Sequence, residues 1–126
     1  MRQNQLYKQA LGFLGEFLIY IALILRGYRV LARRFRFKRR EIDILAEKQG
    51  LLHIFEVKTI AQLTDPFNLI KKRQKVSLFR ATRAFCLENL LYPDFAVFNA
   101  AIVHFRKGIP RILWLENLDR ISLFHG

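Results

Sequence analysis

Asp43, Glu56 and Lys58 are the residues of this 126-residue chain whose types and spacing could do chemistry. Glu41-Ile42-Asp43 is followed, thirteen positions after the aspartate, by Glu56-Val57-Lys58. Side chains two apart on a strand share a face, so Glu56 and Lys58 point the same way. Between the two runs lies Lys48-Gln49-Gly50, and a glycine in a short turn between apolar runs signals a hairpin. If Gln49 and Gly50 form a two-residue loop, Lys48 pairs with Leu51 and, counting outward, Asp43 pairs with Glu56. Directly opposed residues have side-chain roots only ~4.5–5.5 Å apart. Two carboxylates that close repel each other unless a proton or a cation lies between them. Oxygen ligands and a partly hydrated shell suit magnesium, with manganese as the alternative. The ion would polarise a phosphate and acidify its bound water, while Lys58 would orient that water and stabilise charge developing on the scissile phosphate. A one-residue slip in register would put the acids on opposite faces and destroy the site.

Glu16 is a further candidate. It lies amid apolar neighbours in an N-terminal helical pattern, where an ionised carboxylate is costly without a partner. It could add a metal ligand or hold a ligated water. A simpler reading stands beside the catalytic one: Glu56 and Lys58 as a solvent-facing pair on a strand, and Asp43 as a surface acid near a turn. Spacing alone does not separate the two.

The charge balance bears on the partner. Lys and Arg number 22 against 10 Asp and Glu, for a net charge of +12. Such an excess attracts polyanions through phosphate contacts and counterion release, with nucleic acid the commonest case and an anionic membrane surface the main rival. Eight of the fifteen residues from Arg26 to Arg40 are basic. Arg33, Arg34, Arg36, Lys38, Arg39 and Arg40 form the candidate nucleic-acid patch, with Lys71, Lys72 and Lys75 as a second cluster. Basic residues also guard strand edges against pairing, which is the alternative reading of the first cluster.

The elements that must position these groups can be read from period and punctuation. Tyr7 to Leu25 reads as a helix, apolar almost all round from Leu11 and so expected to pack on more than one side. Gly27 stands where a left-handed C-terminal residue is often needed. Tyr28 to Phe37 is a strand in which Phe35 and Phe37 alternate with Arg34, Arg36 and Lys38. Glu41 to Glu47 and Leu51 to Thr59 are the hairpin strands. Asp65-Pro66 resembles a helix N-terminus, and the helix runs to about Leu90. Phe95 to Phe105 is apolar enough for a central strand, and Arg111 to Leu115 is a fifth strand. The last ten residues carry no clear period and are read as a short helix. The expected fold is a single α/β domain over residues 1–126, a mixed sheet with flanking helices in the order α-β-β-β-α-β-β.

One cysteine, Cys86, excludes an intrachain disulfide and any cysteine-rich zinc site, and a reducing, cytoplasmic setting fits. The apolar run Phe17 to Leu25 is too short to span hydrocarbon, and extending it backwards meets Glu16. No small-residue cleavage site follows it, so a buried helix is expected and no stable membrane insertion. His53, His104 and His125 show no metal-ligand spacing, and Trp114 is read as core.

Taken in order, these motifs resemble the YraN-like group of bacterial proteins, within the restriction-endonuclease-like (PD-(D/E)XK) nuclease superfamily. The resemblance runs from roughly Gly12 to Val103. It begins with Gly15-Glu16 in a helix ending near Leu23 and Gly27-Tyr28. It continues through Glu41-Ile42-Asp43 and Phe55-Glu56-Val57-Lys58-Thr59, and the segment from Lys71 to Lys75 resembles a lysine-bearing helix. The resemblance implies a restriction-endonuclease-like core with acids at Glu16, Asp43 and Glu56, the lysine at Lys58, magnesium, and a nucleic-acid substrate, DNA in preference to RNA. Four positions depart from the group's pattern: Arg40 replaces a glycine, Ile60 replaces an arginine, and Val97 and Asn99 replace the charged residues of Arg-Phe-Asp. These changes spare the acids and fall on the residues around them. A nucleic-acid-binding module without turnover is the alternative function.

Overall fold

The computed structural model describes residues 2–60 and 75–124. Helix α1 (Arg2–Leu25) is followed by strands β1 (Arg29–Phe37), β2 (Arg40–Lys48) and β3 (Leu51–Ile60), helix α2 (Lys75–Glu88), and strands β4 (Phe95–Arg106) and β5 (Ile109–Ser122). The five strands lie in sequence order, antiparallel except for the parallel pair β3 and β4. This is the mixed α/β sheet and the element order expected. The helix start expected at Asp65-Pro66 and the residues Lys71 and Lys72 lie outside the described residues, as does the side chain of Lys75.

Each helix covers one face of the sheet. Ile19 and Leu23 of α1 bury with Ile44, Ala46, Phe55, Ala101 and Val103. On the other face Leu78, Ala81, Phe85 and Cys86 of α2 bury with Ile42, Leu45, Leu52, Ile54, Ala96 and Phe98. Cys86 is fully enclosed there, and burial pushes its thiol up to about 11. The residues after α1 satisfy its last carbonyls: Tyr28 N–H donates to Leu23 O at 2.9 Å and Gly27 N–H to Ile24 O at 3.1 Å. That closure requires the left-handed backbone that glycine supplies at position 27, where φ is 91°.

Two expectations are corrected. Helix α1 does not pack on more than one side: Glu16, Ile19 and Leu23 are buried, but Leu14, Phe17, Ile21 and Ile24 are exposed. An outer helix of a layered fold has only the sheet to lie against, and here nothing among the described residues covers its back. The C-terminal segment read as a short helix is instead the second half of β5, which runs to Ser122 and pairs with β4 as far as Phe95. Its apolar period is hidden by a register shift between Phe98 and Ala100, where Asn117 has a left-handed φ of 61°. Buried Asn99 fills the irregularity: its carbonyl accepts from Asn117 N–H at 2.9 Å, and its amide donates to Ile54 O and Val97 O.

The hairpin has the register expected from its turn as far as Ile44, but the expected pair of Asp43 with Glu56 is not part of the ladder. Gln49 and Gly50 take positive φ at 53° and 77°, the two-residue turn whose twist suits a hairpin, and Lys48 pairs with Leu51. Pairing then continues to Ile44 opposite Phe55. One step further, at Asp43, the alternation of β2 breaks: Ile42 belongs to the α2-side core although Ile44 belongs to the α1-side core. Strand β1 kinks at the same level. Arg34, between the pairs Arg33↔Ile44 and Phe35↔Ile42, has a left-handed φ of 54°. As a result Arg33 and Arg34 both reach towards α1, while Phe35 turns to Phe85 of α2. The twin irregularity is what opens the sheet at the candidate site.

Candidate functional site

A cleft of about 500 Å³ lies at this irregularity, lined by residues of α1, by Arg34, Glu41 and Asp43, and by Val57, Lys58 and Thr59. Consecutive side chains of an intact strand alternate between faces, so three consecutive lining residues mean that β3 presents an open edge here. Asp43 occupies that edge. Its carboxylate Oδ2 accepts a hydrogen bond of 2.8 Å from Val57 N–H, the amide of the Glu56–Val57 peptide. A side-chain acid thus takes the place of a ladder partner, which satisfies the amide and ties β2 to the middle of Glu56-Val57-Lys58.

Glu56 and Lys58 share a face, as expected, with Lys58 Nζ 3.9 Å from Glu56 Oε1. Their environments differ: the Glu56 side chain is 7% exposed and that of Lys58 is 41% exposed. Phe55 and Val57 pack towards the α1-side core, so alternation turns Glu56 to the other side, and it lies behind the cleft wall rather than in it. Asp43, Glu56 and Lys58 therefore meet around one peptide of β3, with Asp43 and Lys58 on the cleft surface and Glu56 buried beside them.

Glu16 lines the same cleft but is held by arginine. Arg34 Nε donates to Glu16 Oε1 at 3.0 Å and to Oε2 at 3.2 Å, and Arg33 Nη2 stands 3.9 Å from Oε1. The arginines are braced by rings of α1, Arg34 at 4.1 Å from the Phe13 centroid and Arg33 at 4.5 Å from that of Tyr20. The cost of a carboxylate among apolar residues demanded a partner, and these cations are the partner. The sequence signal was the demand itself. The kink at Arg34 that delivers the answer has no signature in residue type.

The position of Glu16 depends on a close approach. A Cβ on Gly15 would overlap Thr59 Oγ1 and stand 3.1 Å from Thr59 Cβ, so only glycine lets α1 settle on β3 here.

The first basic cluster is less uniform than its sequence suggests. Arg36 pairs with Glu41 at 3.1 Å at the surface, and Lys38 lies over the Phe37 ring. Arg33 and Arg34 are engaged with Glu16. Arg40 turns inward: its Nε and Nη2 are buried and find no hydrogen-bond partner among the described residues. Burial lowers the pKa of its guanidinium from the ordinary value, and the nearby Asp43 carboxylate partly restores it. Arg36, Lys38 and Arg39 remain as the outward cations of that strand and turn.

Among the described residues no three His, Cys, Asp or Glu side chains stand close enough together to hold a metal ion. Magnesium does not need three, because it keeps several waters and is usually bound through one or two carboxylates plus substrate phosphates. Asp43 lines the cleft and Glu56 lies buried behind its wall, so these two carboxylates flank the Glu56–Val57 peptide from different sides. Both Glu16 oxygens accept from Arg34 Nε.

The comparisons with known proteins agree on a family. Uncharacterised protein family UPF0102 matches residues 15–106, a span that contains Glu16, Asp43, Glu56 and Lys58. A UPF0102 protein of Rhodopseudomonas palustris (strain HaA2) is 40% identical over 94 residues, covering 72% of this chain and 71% of its own length. One from another strain of that species, BisB18, is 36% identical over 91 residues, covering 72% and 67%. A third, from Nitrobacter winogradskyi, is 36% identical over 92 residues, covering 72% and 77%. The chain belongs to the UPF0102 family, the YraN-like group whose motifs its sequence carries.

Proposed function

We propose that this protein binds nucleic acid, DNA in preference to RNA, and hydrolyses phosphodiester bonds with a magnesium ion held by Asp43 and Glu56. The observation that carries the reading is the Asp43 carboxylate, drawn out of the β2 ladder onto the peptide between Glu56 and Val57, beside Lys58. The bound ion would supply charge neutralisation on the phosphate and a more acidic water. Lys58, partly exposed at the cleft wall, would orient the attacking water and donate to the phosphate oxygens as negative charge grows on them. The water oxygen would bond to phosphorus and give up a proton, the bond to one ester oxygen would break, and that oxygen would take up a proton in its place. Arg36, Lys38 and Arg39 would bind backbone phosphates flanking the cleft. Glu16 would join the site only if Arg33 and Arg34 turned to another anion, and a substrate phosphate is such an anion.

Cleavage of single-stranded, duplex and branched DNA and of RNA with magnesium tests the proposal. Wild type should cut at least one class, and Asp43→Ala and Lys58→Ala should each abolish cutting while still folding. Equal activity in all three proteins would end the catalytic reading.

One observation favours a second reading, a binding module without turnover: Glu16 is already neutralised by Arg34. That protein would bind duplex DNA with a slope of about −0.9 in log affinity against log salt for each phosphate neutralised. It would cut nothing and gain no stability from magnesium.

A further inference from the structure

Helix α1 presents two apolar faces but the sheet covers only one. Inward, Glu16, Ile19 and Leu23 are buried, and Gly15 is pressed against Thr59. Outward, Leu14, Phe17, Ile21 and Ile24 recur at intervals of three and four, so they form one continuous stripe along the helix. They are 44%, 48%, 38% and 45% exposed, and Leu25 extends the stripe at 82%. Isolated exposed apolar residues need no explanation, but a contiguous stripe of Leu, Ile and Phe marks a docking surface.

The charge around the stripe selects its occupant. Glu16 is the only acid in α1, and it is buried beneath Arg33 and Arg34. The exposed face of the helix therefore carries no negative charge. Lys8 lies exposed towards one end, and just past the other lie Arg26 and Arg29, each in a surface ion pair, with Glu116 and Glu47. The chain as a whole carries +12. A second copy docking face to face would bring like charge against like charge. An anionic lipid surface offers hydrocarbon for the stripe and negative headgroups for Lys8 and for the chain's net positive charge.

We infer that α1 is an interfacial helix, and that its outer stripe seats the protein on an anionic membrane surface. Gln5–Leu25 is long and apolar enough to cross a membrane by length and composition. Crossing would strip Ile19 and Leu23 from the core and break the Glu16–Arg34 contact. Lying in the interface keeps the inner face on the sheet and buries only the outer one. The inference is independent of the proposed hydrolysis, and neither its success nor its failure depends on Asp43, Glu56 or Lys58.

Flotation of the full chain with phosphatidylcholine vesicles, with and without phosphatidylglycerol, tests it. The comparison protein is Phe17→Ser/Ile21→Ser/Ile24→Ser, with Ile21→Ser alone as a milder variant and thermal melting to verify folding. Wild type should float with the anionic vesicles and remain below with the neutral ones. The triple variant should partition more weakly by roughly tenfold or more, and the single variant by a smaller factor. Three results would overturn the inference. Wild type could fail to float. The variants could float as well as wild type, which would make the attraction one of net charge alone. Wild type could sediment as a dimer that the triple variant dissolves, which would assign the stripe to a second copy.

Discussion

Replacing Arg34 by alanine removes the two hydrogen bonds that hold Glu16, at 3.0 and 3.2 Å, from a carboxylate that remains buried in the cleft wall. A hydrogen bond to a charged group contributes about 1.5–3 kcal/mol, and an uncompensated fully buried charge would cost more. Two features moderate the loss. The Arg34 side chain is 41% exposed, so solvent already screens the pair, and Arg33 stands 3.9 Å from the same carboxylate and can close in. Loss of the contact with the Phe13 ring adds about 0.5–1 kcal/mol. The expected net cost is about 2–3 kcal/mol, or roughly 6–15 °C in Tm for a chain of this size. Backbone strain then gives a comparison free of the ion pair. Position 34 has φ of 54°, a conformation that alanine and arginine tolerate equally badly and glycine freely. Arg34→Gly should therefore be more stable than Arg34→Ala by about 1–2 kcal/mol, although it is the smaller residue. Urea denaturation of both variants, with Glu16→Gln and the Glu16→Gln/Arg34→Ala double variant, closes the cycle. Additive losses would show that the pair is not coupled, and a glycine variant no better than alanine would refute the kink.

Gly15→Val should cost about 1–3 kcal/mol from overpacking against Thr59, despite valine's better helix propensity, and Thr59→Gly in the same chain should recover part of it in chemical denaturation. Asn99→Ala leaves Asn117 N–H without its acceptor inside the β4–β5 irregularity, and thermal melting should show a loss of about 2–3 kcal/mol. Burial lowers the pKa of His53 below its ordinary value, and its Nδ1 lies 3.3 Å from the Asn99 amide, a donor that wants an unprotonated nitrogen. The unfolded chain then binds the proton more readily, so stability should fall as pH drops through about 6.5 and below. The fall should flatten in His53→Gln, followed by denaturation at a series of pH values.

The parts of the fold that were legible in the chain are those governed by local chemistry. Gln49-Gly50 set a two-residue turn, and the turn set the register as far as Ile44 opposite Phe55. Gly27 announced the end of α1, and the apolar run of β4 announced a central strand. What was hidden depends on single residues leaving the period of their strand. Arg34 and Asn117 both take left-handed backbone without being glycine, so an alternation count runs straight through them. The first error sent Arg34 to the solvent face instead of to Glu16, and the second cut β5 short at Leu115. The apolar circumference of α1 was read as packing on more than one side, whereas among the described residues only its Glu16, Ile19 and Leu23 face is buried. For the candidate site, strand alternation put Glu56 and Lys58 on one face, and the turn brought Asp43 to their level without the expected pairing with Glu56. The way Asp43 reaches the Val57 amide, and the burial of Glu56 behind Lys58, required the sheet itself.

The proposed hydrolysis requires Asp43 and Glu56 to bind one hydrated divalent ion, with Glu16 held by Arg34. Titration with Mn²⁺, followed by loss of the free-ion electron paramagnetic resonance signal, measures this without any substrate. Wild type and Glu16→Gln should each saturate with one ion per chain, while Asp43→Asn and Glu56→Gln should each weaken binding by at least roughly tenfold. Equal binding by all four proteins, or no saturable binding by wild type, would contradict it.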